Sequence, residues 1–278
     1  MTDMNNKITI ISLGHIVPDY YKYIDYLLYS LGEVLSEIIN LNIEWIFLYD
    51  VREKEFKQEE ELKKTIKKYN LINYKIERIH GGSLSALFYI LNYVETPYIF
   101  YLEHDFVFLK NNFNIAKIVE VFDKYSFVNK ILFKKDGNTE SLLWAYTDVD
   151  NNHIDFLQEE MITEIPLIQA CYWSNNPHFI RLSFLEALSK KVYPTEYNNL
   201  FKENKIYSGA GGYEEPIIDL YKKEVSTKKW SDVKKFWGTF LYGELNESTY
   251  IAHTDASNRY DTECEQLGKD WIINVFNK

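Results

Sequence analysis

Residues 98–109 read Tyr-Ile-Phe-Tyr-Leu-Glu-His-Asp-Phe-Val-Phe-Leu, an apolar, aromatic run interrupted by Glu103, His104 and Asp105. The apolar part predicts a buried strand. Because side chains alternate along a strand, we expect Glu103 and Asp105 on one face and His104 on the other. Two close carboxylates repel each other and are stabilised by a cation between them. A solvated strand end would also carry acids, but the apolar flanks favour a metal-binding or catalytic site.

The residues before this run alternate between strand-like and helical segments. We predict strands over 8–13, 43–49 and 74–79, and helices over 20–39, 55–69 and 84–94. Such repeated units form a mostly parallel sheet with helices on both faces, and ligands bind beyond the carboxyl ends of its strands. The other residues that we place at those ends are Gly14, Asp50 and His80.

The second half of the chain is less regular. We predict helices over 115–125, 183–190 and 214–223, strands over 129–133 and 167–173, and a glycine-rich turn over 209–212. No Pro/Ser/Gly linker and no internal repeat divides the chain. We therefore expect a single α/β domain whose first half, 1–110, ends just after the acidic run and whose second half is 111–278.

Composition limits the function classes. The formal net charge of −10 argues against nucleic acid as the main partner, because phosphate backbones bind basic surfaces. The 23 Tyr and 17 Phe provide many rings, and tyrosine suits walls that stack on sugars. Cys171 and Cys264 form no CxxC or disulfide framework. We found no signal-like or membrane-spanning run, so we expect a cytoplasmic protein without an integral membrane segment.

Several catalytic motifs are absent from the sequence. No GxGxxG or Walker lysine pattern is present, which argues against dehydrogenases and P-loop enzymes. No GxSxG or HExxH occurs either, which argues against serine hydrolases and zinc proteases.

Residues 81–92 (Gly-Gly-Ser-Leu-Ser-Ala-Leu-Phe-Tyr-Ile-Leu-Asn) and 96–105 together resemble a motif of family 2-like glycosyltransferases with the GT-A fold. That motif is a glycine turn, a helix and a DxD strand, and here Glu-His-Asp replaces DxD. The resemblance implies a GT-A-like (Rossmann-like) domain whose first half binds a nucleotide-sugar and whose second half binds the acceptor and carries catalysis. It also implies Mn²⁺ or Mg²⁺ held by Asp105 and Glu103, with Asp105 the more direct ligand. The nucleotide-sugar residues would be Ser12, Gly14, Asp50, Arg52, Gly82 and His104, and the alternative for Asp50 and Arg52 is a pair of solvated loop residues.

Residues 209–219 (Gly-Ala-Gly-Gly-Tyr-Glu-Glu-Pro-Ile-Ile-Asp) resemble the glycine turn and acidic helix start that follow the acceptor region in inverting members of this family. The resemblance implies that Glu214 or Glu215 deprotonates the acceptor hydroxyl, and position favours Glu215. Acids in a first helical turn are also favoured by the helix dipole whatever the function.

Residues 249–255 (Thr-Tyr-Ile-Ala-His-Thr-Asp) resemble the late segment in which a histidine completes the metal site of these enzymes. The resemblance implies that His253 is the third ligand, with Asp255 a weaker alternative. A lone histidine is also commonly a hydrogen-bonded structural residue.

Residues 171–178 combine aromatic and amide side chains before Pro177, a composition that suits stacking on and hydrogen-bonding to sugar hydroxyls. An Asn-Pro turn after a core strand is the structural alternative. The predicted acceptor-binding residues are Trp173, Asn175, Asn176 and Tyr213.

The sequence therefore leads us to expect a metal-dependent, inverting glycosyltransferase. It would move a hexosyl or deoxyhexosyl group from a nucleotide-sugar to a carbohydrate hydroxyl in glycan or polysaccharide biosynthesis. Two alternatives remain: a catalytically degenerate glycan-binding protein on a transferase scaffold, and a sugar nucleotidyltransferase. The second should show a glycine-rich N-terminal signature with Arg and Lys, which residues 11–15 (Ile-Ser-Leu-Gly-His) do not provide.

Overall fold

In a computed structural model, a nine-stranded sheet lies between two helical layers. The structure describes residues 7–14, 20–50, 56–79, 82–135, 146–154, 157–203, 212–254 and 263–277. The strands are β1 (Ile8–Gly14), β2 (Glu44–Asp50), β3 (Tyr74–Ile79), β4 (Tyr98–Glu103), β5 (Phe106–Phe108), β6 (Lys130–Leu132), β7 (Tyr146–Thr147), β8 (His153–Ile154), β9 (Leu157–Ile162), β10 (Pro166–Ala170), β11 (His178–Arg181), β12 (Thr239–Tyr242) and β13 (Ile251–His253). The helices are α1 (Tyr20–Leu31), α2 (Glu33–Asn40), α3 (Phe56–Lys68), α4 (Gly82–Tyr93), α5 (Ile115–Lys124), α6 (Leu182–Val192), α7 (Pro194–Glu203), α8 (Glu214–Thr227), α9 (Trp230–Trp237) and α10 (Glu263–Trp271), followed by a π-helical turn over Ile272–Phe276.

The strand order of the main sheet is β3-β2-β1-β4-β11-β6-β12-β10-β9. The first four strands are parallel, as the alternating sequence pattern predicts. Strand β11 is antiparallel to both β4 and β6, and β10 is antiparallel to both β12 and β9. Because β12 is parallel to β6, every strand of this sheet except β11 and β10 runs in the same direction. The expected α/β domain with a mostly parallel central sheet is confirmed.

Alternating apolar residues of the strands bury both faces of the sheet. On β1, Ile10 faces the cluster that contains buried residues of α1, α2, α3 and α5, whereas Ile11 faces the cluster of α4, α6, α8 and α9. On the first face, the rings of Phe100 and Phe179 stack at 4.0 Å across the β4–β11 pair. The sheet is thus covered on both sides, as a largely parallel sheet requires.

Two predicted elements are interrupted. The helix predicted over 20–39 divides at Gly32, whose φ is 49° and where a Cβ would lie 2.2 Å from Asn111 Nδ2. The strand predicted over 98–109 ends at Glu103, and His104 and Asp105 form a turn before β5. A continuous strand through residues 103–105 is therefore wrong, because β5 leaves the main sheet after the turn and pairs with β13. His104 still packs against α1, on the face opposite to that of Glu103's neighbour Tyr213.

The second half contains elements that the sequence pattern did not predict. Strands β11 and β12 enter the centre of the sheet, and helices α7, α9 and α10 also form. The strand predicted over 167–173 ends at Ala170. Within the described residues, no helix is both long and apolar enough to cross a bilayer.

Candidate functional site

Three of the predicted residues of the first half lie at one edge of the sheet. Strands β1, β2 and β4 end at Gly14, Asp50 and Glu103, and Leu13 pairs with Glu103 in the parallel register. The His104 N–H donates to the carbonyl of Leu13 at 3.0 Å, which continues the ladder into the turn. The acidic turn is thus fixed by the backbone at the carboxyl edge, where α/β sheets bind ligands.

The C-terminal strand β13 holds a histidine against Asp105. His253 pairs with Phe106, and both the N–H and the hydroxyl of Thr254 donate to the carbonyl of Asp105, at 2.7 and 2.9 Å. His253 Nε2 lies 2.9 Å from Asp105 Oδ2. Two residues predicted from distant segments, Asp105 and His253, are therefore in contact. The two hydrogen bonds from Thr254 to the Asp105 carbonyl hold the two segments together.

The two carboxylates of the acidic run have opposite electrostatic surroundings. Burial alone would raise the pKa of Asp105, but the charges of His104 and His253 and the hydrogen bond from His253 hold it below its usual range. Burial raises the pKa of Glu103 well above its usual range, and the nearby carboxylates of Asp105 and Glu214 add to this effect. The surroundings thus lower the pKa of Asp105 and raise the pKa of Glu103.

Asp105 and His253 fit a divalent cation as a pair. No hydrogen bond from a described residue reaches the buried Oδ1 of Asp105, although His104 Nδ1 lies 3.9 Å away. The 2.9 Å contact between His253 Nε2 and Asp105 Oδ2 is a hydrogen bond, so these two atoms would exchange it for bonds to the ion when a cation binds. Glu103 does not complete a cluster of three, because no group of three His, Cys, Asp or Glu that could hold a metal occurs in the described ranges.

Glu103 instead belongs to a second charged group with Glu214 and Lys130. The carboxylate of Glu214 raises the pKa of Glu103, and Lys130 opposes that increase. Lys130 is fully buried, and burial lowers its pKa well below the usual value while Glu214 and Glu103 oppose the decrease. Glu214 begins α8, so this helix brings a third carboxylate towards the acidic turn.

Of the two predicted bases, Glu214 faces the site. The N–H of Asn175 donates to its Oε1 at 2.7 Å, which links the start of α8 to the predicted acceptor segment. Glu215 is exposed. Tyr213 is buried, and its N–H donates to Ser83 Oγ at 3.4 Å, so the first turns of α8 and α4 meet beside the acidic turn. The pKa of Tyr213 is raised by burial and by Glu103 and Glu214.

Lys130 contacts two residues of the predicted acceptor segment, Trp173 and Ser174. The Lys130 ammonium donates to the carbonyl of Ser174 at 2.6 Å and lies 3.4 Å from the centre of the Trp173 ring. Trp173 Nε1 and Asn175 Oδ1 are both buried, and no described residue bonds to either atom. Both atoms are enclosed by the protein, so a ligand could reach them only if this segment moved. Asn176 is half-buried, and its carbonyl lies 2.7 Å from His178 Nδ1.

Sequence reasoning did not identify Lys130. The signal was a single lysine in the run Asn-Lys-Ile-Leu-Phe at 129–133, which also fits a strand with one solvated side chain. Burial follows from the position of β6 between β11 and β12, and that position depends on pairing with distant strands.

The remaining predicted residues have mixed surroundings. A Cβ at Gly14 would lie 1.8 Å from the ring of Tyr20, so the space beside this glycine is taken by α1. Ser12 is fully buried on β1, and Gly82 begins α4 with a φ of 71°. His104 is buried, with its ring 5.3 Å from that of Tyr20 and 5.5 Å from that of Tyr23. Arg52, His80 and Asp255 lie outside the described residues.

Comparison with known proteins gives similar structures without a family assignment. No protein-family model matches the chain, and no curated protein matches it. Residues 1–349 of S. aureus TarS have 13% identity and a TM-score of 0.45, and the alignment covers 88% of this chain and 59% of that one. GalNAc-T7 with UDP, GalNAc and Mn²⁺ has 13% identity and a TM-score of 0.48, and the alignment covers 97% of this chain and 48% of that one. A Bacillus anthracis protein named glucose-1-phosphate thymidylyltransferase has 11% identity and a TM-score of 0.47, and the alignment covers 95% of this chain and 96% of that one. This chain thus spans about half of the first two proteins. At these identities and TM-scores the likeness carries no argument about activity or substrate.

Proposed function

We propose that this protein is a metal-dependent glycosyltransferase that inverts configuration. It would move a sugar from a nucleotide-sugar to a hydroxyl of a carbohydrate acceptor. The observation that carries the proposal is the arrangement at the carboxyl edge of the sheet, where Asp105 contacts His253 and where Glu214 accepts from the N–H of Asn175. The Asp105–His253 pair suits a cation and the diphosphate it binds, and Glu214 supplies a carboxylate near the acceptor segment.

The proposed reaction is a displacement at the anomeric carbon. Glu214 accepts the proton of the acceptor hydroxyl while the hydroxyl oxygen forms a bond to the anomeric carbon. At the same time the bond between that carbon and the nucleoside diphosphate breaks. The contact between Glu214 Oε1 and the Asn175 N–H fixes the carboxylate beside Asn175 of the predicted acceptor segment. Lys130 keeps this wall in place through Ser174.

Asp105 and His253 are the residues that would hold Mn²⁺ or Mg²⁺, with donor phosphates and water as further ligands. A divalent ion bound there would neutralise the charge that develops on the departing diphosphate. Because Glu103 is close enough to Glu214 and Lys130 for their charges to act on its pKa, we assign it to the donor sugar rather than to the metal. This assignment differs from the sequence-based expectation that Glu103 is a ligand.

Nucleotide release from a panel of UDP-, GDP- and TDP-sugars, with and without Mn²⁺, tests the proposal. We expect release from one donor that requires the metal and falls by about a hundredfold or more in Asp105→Asn. Product anomeric configuration, read by NMR, should be opposite to that of the donor. Release of pyrophosphate from a nucleoside triphosphate and a sugar phosphate would instead identify a nucleotidyltransferase. Sugar binding without metal dependence or turnover, unchanged in Asp105→Asn, would identify a degenerate glycan-binding protein.

A further inference from the structure

A polar groove lies at the edge of the sheet opposite to the candidate site. Its volume is about 590 Å³, and it is lined by Thr9 of β1, Glu44 of β2, Asn73 and Lys75 near the start of β3, and Tyr93 and Glu95 at the end of α4. A volume of this size accommodates a small organic ligand. Thr9 lies near the start of β1 and Gly14 at its end, so five residue steps, about 17 Å at 3.3 Å per residue, separate the groove from the carboxyl edge of the sheet.

The polar groups of the groove are held by contacts with one another. The hydroxyls of Thr9 and Thr96 lie 2.9 Å apart, and Thr9 is only 1% exposed. Asn73 Nδ2 donates to the carbonyl of Asn42 at 2.8 Å. Hydroxyl and amide groups fixed in this way can donate to and accept from a ligand rich in hydroxyls without a large loss of side-chain entropy.

Tyr93 adds an aromatic surface to the groove. The residue is 61% exposed, which is unusual for so large a ring, and the ring lies 4.8 Å from that of Tyr89 on the same helix. Tyr89 therefore supports one side of the ring while the rest is open to solvent. A supported, open tyrosine ring is suited to stacking on the C–H face of a pyranose.

The charges of the groove select against anions. Glu44 and Glu95 contribute two negative charges, and Lys75, which lies 2.7 Å from Glu44, contributes one positive charge. A phosphate or carboxylate ligand would meet net repulsion and a lysine already paired with an acid. A neutral ligand meets no such repulsion.

We propose that this groove binds a neutral oligosaccharide, with Tyr93 stacking on one sugar ring and Asn42, Asn73 and Glu95 bonding to hydroxyls. The inference does not depend on the proposed function, because the groove and the acidic turn share no residue. In a transferase the groove would hold an acceptor chain away from its reacting end.

Saturation-transfer NMR on the full chain tests this site, with cellobiose, maltose, lactose and chitobiose as neutral probes, glucose 1-phosphate as the anion and spermidine as the cation. We expect at least one neutral disaccharide to bind and the phosphate not to bind. Tyr93→Ala should weaken that binding by about tenfold, whereas Tyr93→Phe should retain it. Tyr29→Ala, which removes an exposed tyrosine of α1, is the matched control and should not change binding.

A further variant separates the groove from the candidate active site. Binding of the disaccharide should be unchanged in Asp105→Asn, so failure of the proposed transfer reaction leaves this inference standing. Binding that is lost in Asp105→Asn, or that is unchanged in Tyr93→Ala, would overturn it. The absence of binding by every neutral probe, or binding of spermidine alone, would also overturn it.

Discussion

His253 Nε2 and Asp105 Oδ2 lie 2.9 Å apart because β13 pairs with β5 directly after the acidic turn. The carbonyl of Asp105 accepts two further hydrogen bonds, from the N–H and the hydroxyl of Thr254. The C-terminal part of the chain is therefore needed to assemble the candidate metal pair.

Replacing His253 tests whether this pair binds metal. We expect His253→Ala to weaken Mn²⁺ binding, measured by isothermal titration calorimetry, by about tenfold or more, because one of two protein ligands is lost. His153→Ala, which removes an exposed histidine of β8, should leave the affinity unchanged. Equal affinities of wild type and His253→Ala would show that the histidine only pairs with Asp105 as a structural residue.

Gly268 packs against the backbone of His253, so its replacement is a second test of the Asp105–His253 pair. A Cβ at this position of α10 would lie 2.0 Å from the carbonyl oxygen of His253, so Gly268→Ala must move α10 or β13. We expect a loss of about 1–3 kcal/mol in unfolding free energy and weaker Mn²⁺ binding. Gly212→Ala is the control, because the nearest atom to the added methyl would be Ser83 Oγ at 3.9 Å. Unchanged stability and metal affinity in Gly268→Ala would contradict close packing of α10 on β13.

Local sequence pattern predicted the first half of the fold well. Strands β1 to β4 and the helices between them follow short-range periodicity, and right-handed crossovers then bring Gly14, Asp50 and Glu103 to one edge. The turn at His104 and Asp105 was missed because the apolar residues on either side read as one strand. The chain leaves the main sheet after this turn because β5 pairs with β13. That pairing joins segments far apart in sequence, so no local pattern predicts it.

The second half shows why the site was only partly predictable. Strand β11 lies between β4 and β6 through antiparallel pairs with segments far away in sequence, and this placement buries Lys130. Periodicity cannot distinguish such a lysine from one on a solvated face. His253 entered the prediction through a family resemblance, and the structure places it beside Asp105.

Lys130 should be important for the acceptor segment. Lys130→Met keeps the length of the side chain but removes the 2.6 Å bond to the Ser174 carbonyl. Because that half-buried carbonyl would lose its donor, and the carboxylates of Glu103 and Glu214 a nearby cation, we expect a loss of about 1–3 kcal/mol in unfolding free energy, measured by urea denaturation. Lys117→Met, at an exposed position of α5, should change stability by no more than about 0.5 kcal/mol. If the two variants were equally stable, the segment over 173–176 would be held without Lys130.

Glu59 should make part of the stability pH-dependent. Hydrogen bonds from Lys63, Arg78 and Tyr49 lower its pKa from 4.5 to about 2. A lowered carboxyl pKa stabilises the folded state above the unfolded value, and this stabilisation is lost as pH falls through the folded value. We therefore expect wild type to be more stable than Glu59→Gln by about 1 kcal/mol at pH 7, after allowing for solvent screening. The difference should shrink between pH 4.5 and about 2 in urea titrations. A difference that does not change over this range would rule out the ion pairs as its source, and Glu120→Gln, at an exposed position, is the control.

Glu214 and Glu215 can be distinguished by matched substitutions at adjacent positions. Glu214→Gln keeps an oxygen that can accept the Asn175 N–H, now 2.7 Å from Oε1, so the start of α8 should remain folded. It cannot accept a proton, and we expect kcat for sugar transfer to fall by about a hundredfold or more. Glu215→Gln changes an exposed side chain and should have little effect on kcat. Transfer rates with one donor and one acceptor, measured across pH, decide between them.

Loss of activity in Glu215→Gln alone would support the sequence-based preference for Glu215, and helix α8 would then have to rotate when the acceptor binds. Loss in neither variant would mean that no carboxylate at this helix start is the base, and a retaining mechanism would then be favoured.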